Sequence, residues 1–105
     1  MNHEVSADPA LRALTRLIPI GKSDTGQASV VASFLLAWWT APAWGGFDLA
    51  NLWRLDHRIR DDIVTVFCDV AVNPATYADV YGFEIDMHEI IDRWGRAFKS
   101  RRRKR

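Results

Sequence analysis

The sequence is poor in cysteine: Cys68 is the only one in 105 residues. A single thiol cannot form an internal disulfide, so the fold must be stabilised by a hydrophobic core, which 49% hydrophobic residues can supply at this length. The N-terminus also lacks the basic and then apolar pattern of a secretory signal. We therefore expect a single soluble domain in a reducing, cytoplasmic compartment.

Charge is missing from residues 25–47, a stretch long enough to cross a bilayer of about 30 Å. The stretch nevertheless contains polar residues, and Pro42, Gly45 and Gly46 should limit its helix to about fourteen residues. This length is typical of a buried core helix. We therefore expect no membrane contact.

The net charge of +1 conceals a strong separation of charge along the chain. Six of the fourteen Lys and Arg residues lie in the last seven positions, and residues 1–98 carry a net charge of −5. Such a dense run of cations repels itself, which predicts a disordered arm that contacts phosphates non-specifically or folds onto the acidic body. The candidate nucleic-acid contacts are Lys99, Arg101, Arg102, Arg103, Lys104 and Arg105.

A helix-start signal opens the ordered part of the chain. Asp8 followed by Pro9 is typical of an N-cap with proline at the first helical position. The apolar residues that follow recur at helical spacing, so a first helix is predicted over residues 9–18. Pro19 and Gly21 are expected to end it.

A second helix is predicted from Thr25 to about Trp39, because Asp24 and Gln27 have the spacing of a capping box. This helix is apolar on nearly all sides, which predicts a central position. The proline and glycine residues of 41–46 are expected to form a tight connection after it.

Two aspartates mark the starts of later elements. Asp48 is predicted to cap a short helix and Asp56 a helix over residues 57–72, although the β-branched residues of 63–72 leave a strand as a rival. A last helix is predicted over residues 83–98.

Together these segments predict an all-α fold. We expect a compact bundle of four to five helices over residues 9–98, built around the central apolar helix. A flexible N-terminus, 1–8, precedes the domain, and the basic disordered tail, 99–105, follows it.

Two histidines have carboxylates at helical spacing. His57 stands four residues before Asp61, while His88 stands four after Glu84 and four before Asp92. Such pairs share a helix face, as metal ligands or an acid and base would, but they arise readily in helices rich in charge. We expect solvated faces and no metal site.

Cys68 lies among apolar residues, with Asp69 adjacent and no neighbouring cation to lower the pKa of its thiol. We expect a small core residue rather than a nucleophile. The glycines match neither the P-loop nor the dinucleotide-binding pattern. These observations predict a protein that is not an enzyme and has no cofactor.

Five tryptophans are a heavy aromatic load for this length, and most of them must pack in the core. Aromatic residues outside the helices, and the carboxylates of the last helix, are candidates for a protein interface. The candidates are Trp44, Phe47, Tyr77, Tyr81, Asp86, Glu89 and Asp92.

Several short motifs form a recognisable pattern along the chain. They are Asp24-Thr-Gly-Gln27, Phe34-Leu-Leu-Ala-Trp-Trp39, Gly45-Gly-Phe-Asp-Leu49, Leu52-Trp53 and Asp56. With these motifs the sequence resembles a family of short uncharacterised bacterial proteins often associated with plasmids and integrated mobile elements. The resemblance covers about residues 10 to 97 and implies a compact soluble domain in a mobile-element setting, with no catalytic or binding residue to transfer.

Two functions follow as hypotheses. The first is a small non-catalytic interaction module whose basic tail contacts nucleic acid. The alternative is an accessory or inhibitory protein, like an anti-CRISPR or other anti-defence factor, that binds a protein complex through its acidic, aromatic-bearing body.

Overall fold

The computed structural model describes residues 8–44, 46–73 and 82–103, with side chains for all of these except 40–44 and 99–103. The described residues are largely helical and contain no strand. The all-α prediction is confirmed for this part of the chain, and the strand considered for residues 63–72 is excluded. The elements are α1 (Pro9–Lys22), α2 (Ala28–Trp44), a 3₁₀ helix (Leu49–Arg54), α3 (His57–Val72) and α4 (Glu84–Arg103).

The start of α1 is confirmed. The Asp8 carboxylate accepts hydrogen bonds from the backbone N–H groups of Ala10 at 3.0 Å and Leu11 at 3.2 Å. Pro9 occupies the first helical position, where its missing N–H costs nothing.

The predicted end of α1 is wrong, because the helix continues through Pro19 to Lys22. Proline removes one backbone donor from the helix, but the last turn is held by packing. Ile18 is 4% exposed and Gly21 is buried. Burial of this turn therefore outweighs the unfavourable local preference of Pro19.

The bounds of α2 also differ from the prediction. The helix begins at Ala28, and the Gln27 side chain accepts a hydrogen bond from the backbone N–H of Asp56 at 2.6 Å. Gln27 thus ties the start of α2 to the start of α3. At the other end the backbone stays helical through Pro42 to Trp44, so the predicted tight connection begins later than expected.

The two aspartate caps are confirmed. The carboxylate of Asp48 accepts from the N–H of Ala50 at 3.0 Å, and that of Asp56 accepts from the N–H of Arg58 at 2.9 Å. Each bond satisfies a donor that a helix start leaves without an intrahelical partner.

The last helix, α4, is longer than predicted. It ends at Arg103 rather than near Phe98. The backbone of residues 99–103, the first five of the basic segment, therefore continues the helix.

Packing of the α-helices creates one apolar core. α1 contacts each of the other three α-helices, and α2 also packs against α4. The fully buried large side chains are Leu14, Leu17, Val31, Leu35, Leu36, Val66, Met87 and Ile90.

An ion pair on the polar surface also joins α1 to α3. The Arg16 guanidinium lies 2.7 Å from the Asp62 carboxylate. This contact raises the pKa of Arg16, mainly through the hydrogen bond and to a lesser extent through the negative charge of Asp62.

Across the described ranges, we find no helix whose length and apolar character would suit a bilayer crossing.

Candidate functional site

An apolar groove of about 480 Å³ lies between α2, the 3₁₀ helix and α3. Every described side chain that lines it is apolar. The described lining residues are Phe34, Ala37, Trp38, Phe47, Leu49, Leu52, Ile63, Val64, Phe67 and Val70. A recess of this composition can bind apolar side chains, and its described lining has no polar side chain that would orient a small substrate.

The groove has a buried floor and an exposed rim. Ile63 and Phe34 are 2% and 7% exposed, and the Phe34 ring meets that of Phe47 edge-on with the centroids 5.5 Å apart. At the rim, Leu49 is 65% and Phe67 58% exposed. The rim therefore leaves substantial apolar area in contact with water.

The helical periods explain why this rim forms. In α3, Ile63 and Val66 face the core, while Val64 and Phe67 are each displaced by one residue and so lie about 100° around the helix. The sequence of α3 thus carries apolar residues on two faces, and its packing covers only one of them.

Trp53 is the most exposed large apolar side chain of the described residues, at 88%. In a 3₁₀ helix, residues three apart lie on the same side, so Leu49 and Leu52 both reach the groove while Trp53 lies about a third of a turn away. The indole therefore projects beside the groove rather than filling it. We name the set Leu49, Trp53, Val64, Phe67 and Val70 the apolar surface.

The acidic interface candidates lie in α4. The Lys22 ammonium contacts both the Asp86 and the Glu89 carboxylates at 2.5 Å. These hydrogen bonds, the one to Asp86 first, raise the pKa of Lys22. Two of the three predicted carboxylates are therefore paired within the molecule, while Asp92 is exposed.

The aromatic interface candidates separate into two groups. Phe47 is half-buried and lines the groove. The side chain of Trp44, and all of Tyr77 and Tyr81, lie outside what the structure describes.

The first two arginines of α4, Arg93 and Arg96, differ in their contacts. Arg93 donates to the Ser23 carbonyl at 3.0 Å, lies 3.8 Å from the Asp24 carboxylate, and stacks over the Trp94 ring at 5.4 Å. Arg96 is exposed. Arg93 is thus used for packing, whereas the next cation along the helix, Arg96, remains open to solvent.

The basic candidates follow the last described core contact of α4, the buried side chain of Phe98. Lys99, Arg101, Arg102 and Arg103 belong to the helical backbone. Lys104 and Arg105 lie outside the described residues.

The histidines do not assemble a metal site within the described ranges, where no group of three His, Cys, Asp or Glu side chains is placed to hold an ion. The His57 ring is 71% exposed and lies 3.9 Å from the Asp56 carboxylate. His88 packs edge-on against Trp39, with the ring centroids 6.3 Å apart.

The prediction of Cys68 as a core residue is wrong, because this side chain is exposed. It follows Phe67 on the outer side of α3, where the apolar run of residues 63–68 resembles a core segment in sequence but is only partly covered.

Fold and site together define a small all-α protein with an open apolar groove and a last helix whose charges are separated along its length. The chain belongs to a family of unknown function, DUF7673, whose model matches residues 11–95. This confirms the resemblance to an uncharacterised family, and the matched region ends before the basic segment. Neither curated proteins nor solved structures gave a match.

Proposed function

We propose that this protein is a non-catalytic module that binds nucleic acid, without sequence preference, through the basic end of α4. The observation that carries the proposal is the continuation of α4 as a helix beyond Phe98 to Arg103. The helical backbone carries Lys99, Arg101, Arg102 and Arg103 beyond Phe98, the last described core residue of α4, and cations of this kind are the usual contacts of phosphate groups.

Distance along the helix supports this role. Lys99 lies ten positions after Glu89, which corresponds to about 15 Å at 1.5 Å per residue. This exceeds the Debye length of about 8 Å at physiological salt. The carboxylates at the start of α4 therefore compete weakly for the cations at its end, and the pairing of Glu89 with Lys22 weakens that competition further.

A continuous helix also bears on whether the basic segment folds back. Residues 99–103 cannot reach the carboxylates at the start of their own helix while the backbone remains helical. For residues 99–103 we therefore favour contact with an external polyanion over pairing with the carboxylates at the start of α4.

The positions of the cations suit a phosphate backbone. Arg96, Lys99 and Arg103 are spaced by three and four residues, so they share one side of α4 over about 10 Å of helix length. One DNA strand carries a phosphate about every 3.4 Å along the helix axis. Several phosphates therefore lie within the span of this helix side, and none of these contacts reads the bases.

Binding of a labelled DNA duplex, measured by fluorescence anisotropy over a range of salt, tests the proposal. The variant Lys99→Gln/Arg103→Gln should bind more weakly, and the slope of log K against log salt should become shallower by about 2. The matched variant Arg54→Gln/Arg58→Gln removes two exposed cations from other elements and should keep the wild-type slope. Equal losses in both variants would refute a specific role for the end of α4.

The mobile-element setting rests on the sequence resemblance alone, so we include it only as part of this proposal.

The anti-defence alternative, binding of a protein complex through the acidic body, stays a prediction. Its acidic surface is reduced by the Lys22 pairing with Asp86 and Glu89. The described feature that favours a protein contact is instead the apolar surface.

A further inference from the structure

The apolar surface is the right size for one side of a modest protein interface. From the exposed fractions of its five residues, and from typical side-chain areas, it presents on the order of 500 Å² of apolar area. A standard interface buries about 800 Å² per partner, of which about 56–65% is non-polar. The apolar part of such an interface is therefore also on the order of 500 Å².

Charge favours a second copy of the same chain at this surface. Segments 49–53 and 63–68 contain no charged residue, although residues 1–98 as a whole carry a net charge of −5. Two copies that meet through these two segments therefore bring no like charges from them into opposition.

Shape favours the same partner. A two-fold interface requires a surface that is complementary to itself, so that a projection on each copy meets a recess on the other. Trp53 projects at 88% exposure and follows directly after Leu52, which lines the groove. A projection and a recess thus lie side by side on one molecule, and tryptophan is the side chain most typical of interface anchors.

We infer that the protein forms a two-fold symmetric dimer through the apolar surface, with Trp53 of each copy bound in the groove of the other. The exposed face of α3 at Val64 and Phe67 then packs beside this anchor. The inference is independent of nucleic-acid binding, because it uses different residues. If both hold, the dimer presents two basic helix ends to one polyanion.

Sedimentation equilibrium of the full chain tests the inference. Wild type should be dimeric, and Trp53→Arg and Phe67→Arg should each raise the dissociation constant by about 30-fold or more. Ile85→Arg is the matched control, because Ile85 is 74% exposed but lies outside the apolar surface, and it should dimerise like wild type. The three replaced side chains are exposed, so thermal unfolding should show that all variants remain folded.

A second measurement uses the single cysteine. A spin label on the exposed Cys68 should report a dipolar coupling between two labels in wild type, and the coupling should disappear in Trp53→Arg. A monomeric wild type at high concentration would overturn the inference. So would a dimer that survives both arginine substitutions, since another surface would then hold it together.

Discussion

The indole N–H of Trp94 donates a hydrogen bond to the backbone carbonyl of Gly21 at 2.8 Å. Gly21 lies in the last turn of α1, where carbonyls have no partner within the helix. One residue further, Lys22 pairs with Asp86 of α4. The end of α1 thus holds α4 at two positions, Asp86 and Trp94. These two contacts set the direction of the α4 axis, and so the direction in which its backbone continues beyond Phe98.

Trp94→Phe should lower the free energy of unfolding by about 1–2 kcal/mol, because it removes the hydrogen bond and leaves the Gly21 carbonyl without that partner. Phenylalanine keeps an aromatic ring for stacking on Phe98. Urea unfolding followed by circular dichroism measures the change. An unchanged stability would show that the bond to Gly21 contributes little.

Gly21→Val should destabilise the fold by about 1–3 kcal/mol through overpacking. A Cβ at this position would lie 3.3 Å from Cδ1 of Leu35 and 3.7 Å from Cα of Ala32, and valine adds two further methyl groups. Gly26→Val is the matched control, since nothing lies within 4 Å of a Cβ there. If the two substitutions cost the same in a thermal melt, close packing of α1 against α2 is not the reason for a glycine at position 21.

The Lys22 pair predicts a loss of stability at high pH. The folded state raises the pKa of Lys22 above its ordinary value of 10.5, so the stabilisation is fully present below pH 10.5 and is lost as the pH rises through the raised pKa. Lys22→Met should cost about 1 kcal/mol at neutral pH, and the difference from wild type should shrink above pH 10.5. Unfolding curves from pH 8 to pH 12 measure it; a constant difference over that range would contradict the pairing.

Ser100→Pro tests whether the end of α4 is helical. Proline at this position removes a backbone donor and clashes with the preceding turn, so helix content should fall by a few residues. The free energy of unfolding should change little, because Phe98 is the last described core residue of α4. Far-ultraviolet circular dichroism and a thermal melt measure both quantities. Unchanged helix content would mean that residues 99–103 are not helical in solution.

Local signals predicted the starts of α1, the 3₁₀ helix and α3 well, whereas α2 begins at Ala28 rather than at the predicted Thr25. The carboxylates of Asp8, Asp48 and Asp56 each cap a helix, because a cap depends on hydrogen bonds between near neighbours in sequence. The helix ends were predicted less well: Pro19 and Pro42 both lie inside helices. At Pro19, the packing of the last turn of α1 outweighs the tendency of proline to end a helix, and such packing is not visible in the sequence.

The apolar groove was not predicted, although Phe47 was singled out. Val64 and Phe67 give α3 a second apolar face, and the sequence pattern does not reveal which faces are covered by other helices. For the same reason the apolar surroundings of Cys68 in sequence predict a core position, whereas its side chain is exposed. The charge separation, by contrast, is a property of the sequence, and the structure adds the helical backbone that carries it.

The most direct test of nucleic-acid binding compares the full chain with a chain that ends at Phe98, titrating a labelled duplex from 50 to 200 mM salt. Three cations lie on one side of α4 and the basic segment holds six in all, so binding by the full chain should follow log salt with a slope between about −3 and −5 and should be lost in the shorter chain. Equal binding by both chains, or no binding by the full chain at the lowest salt, would contradict the account.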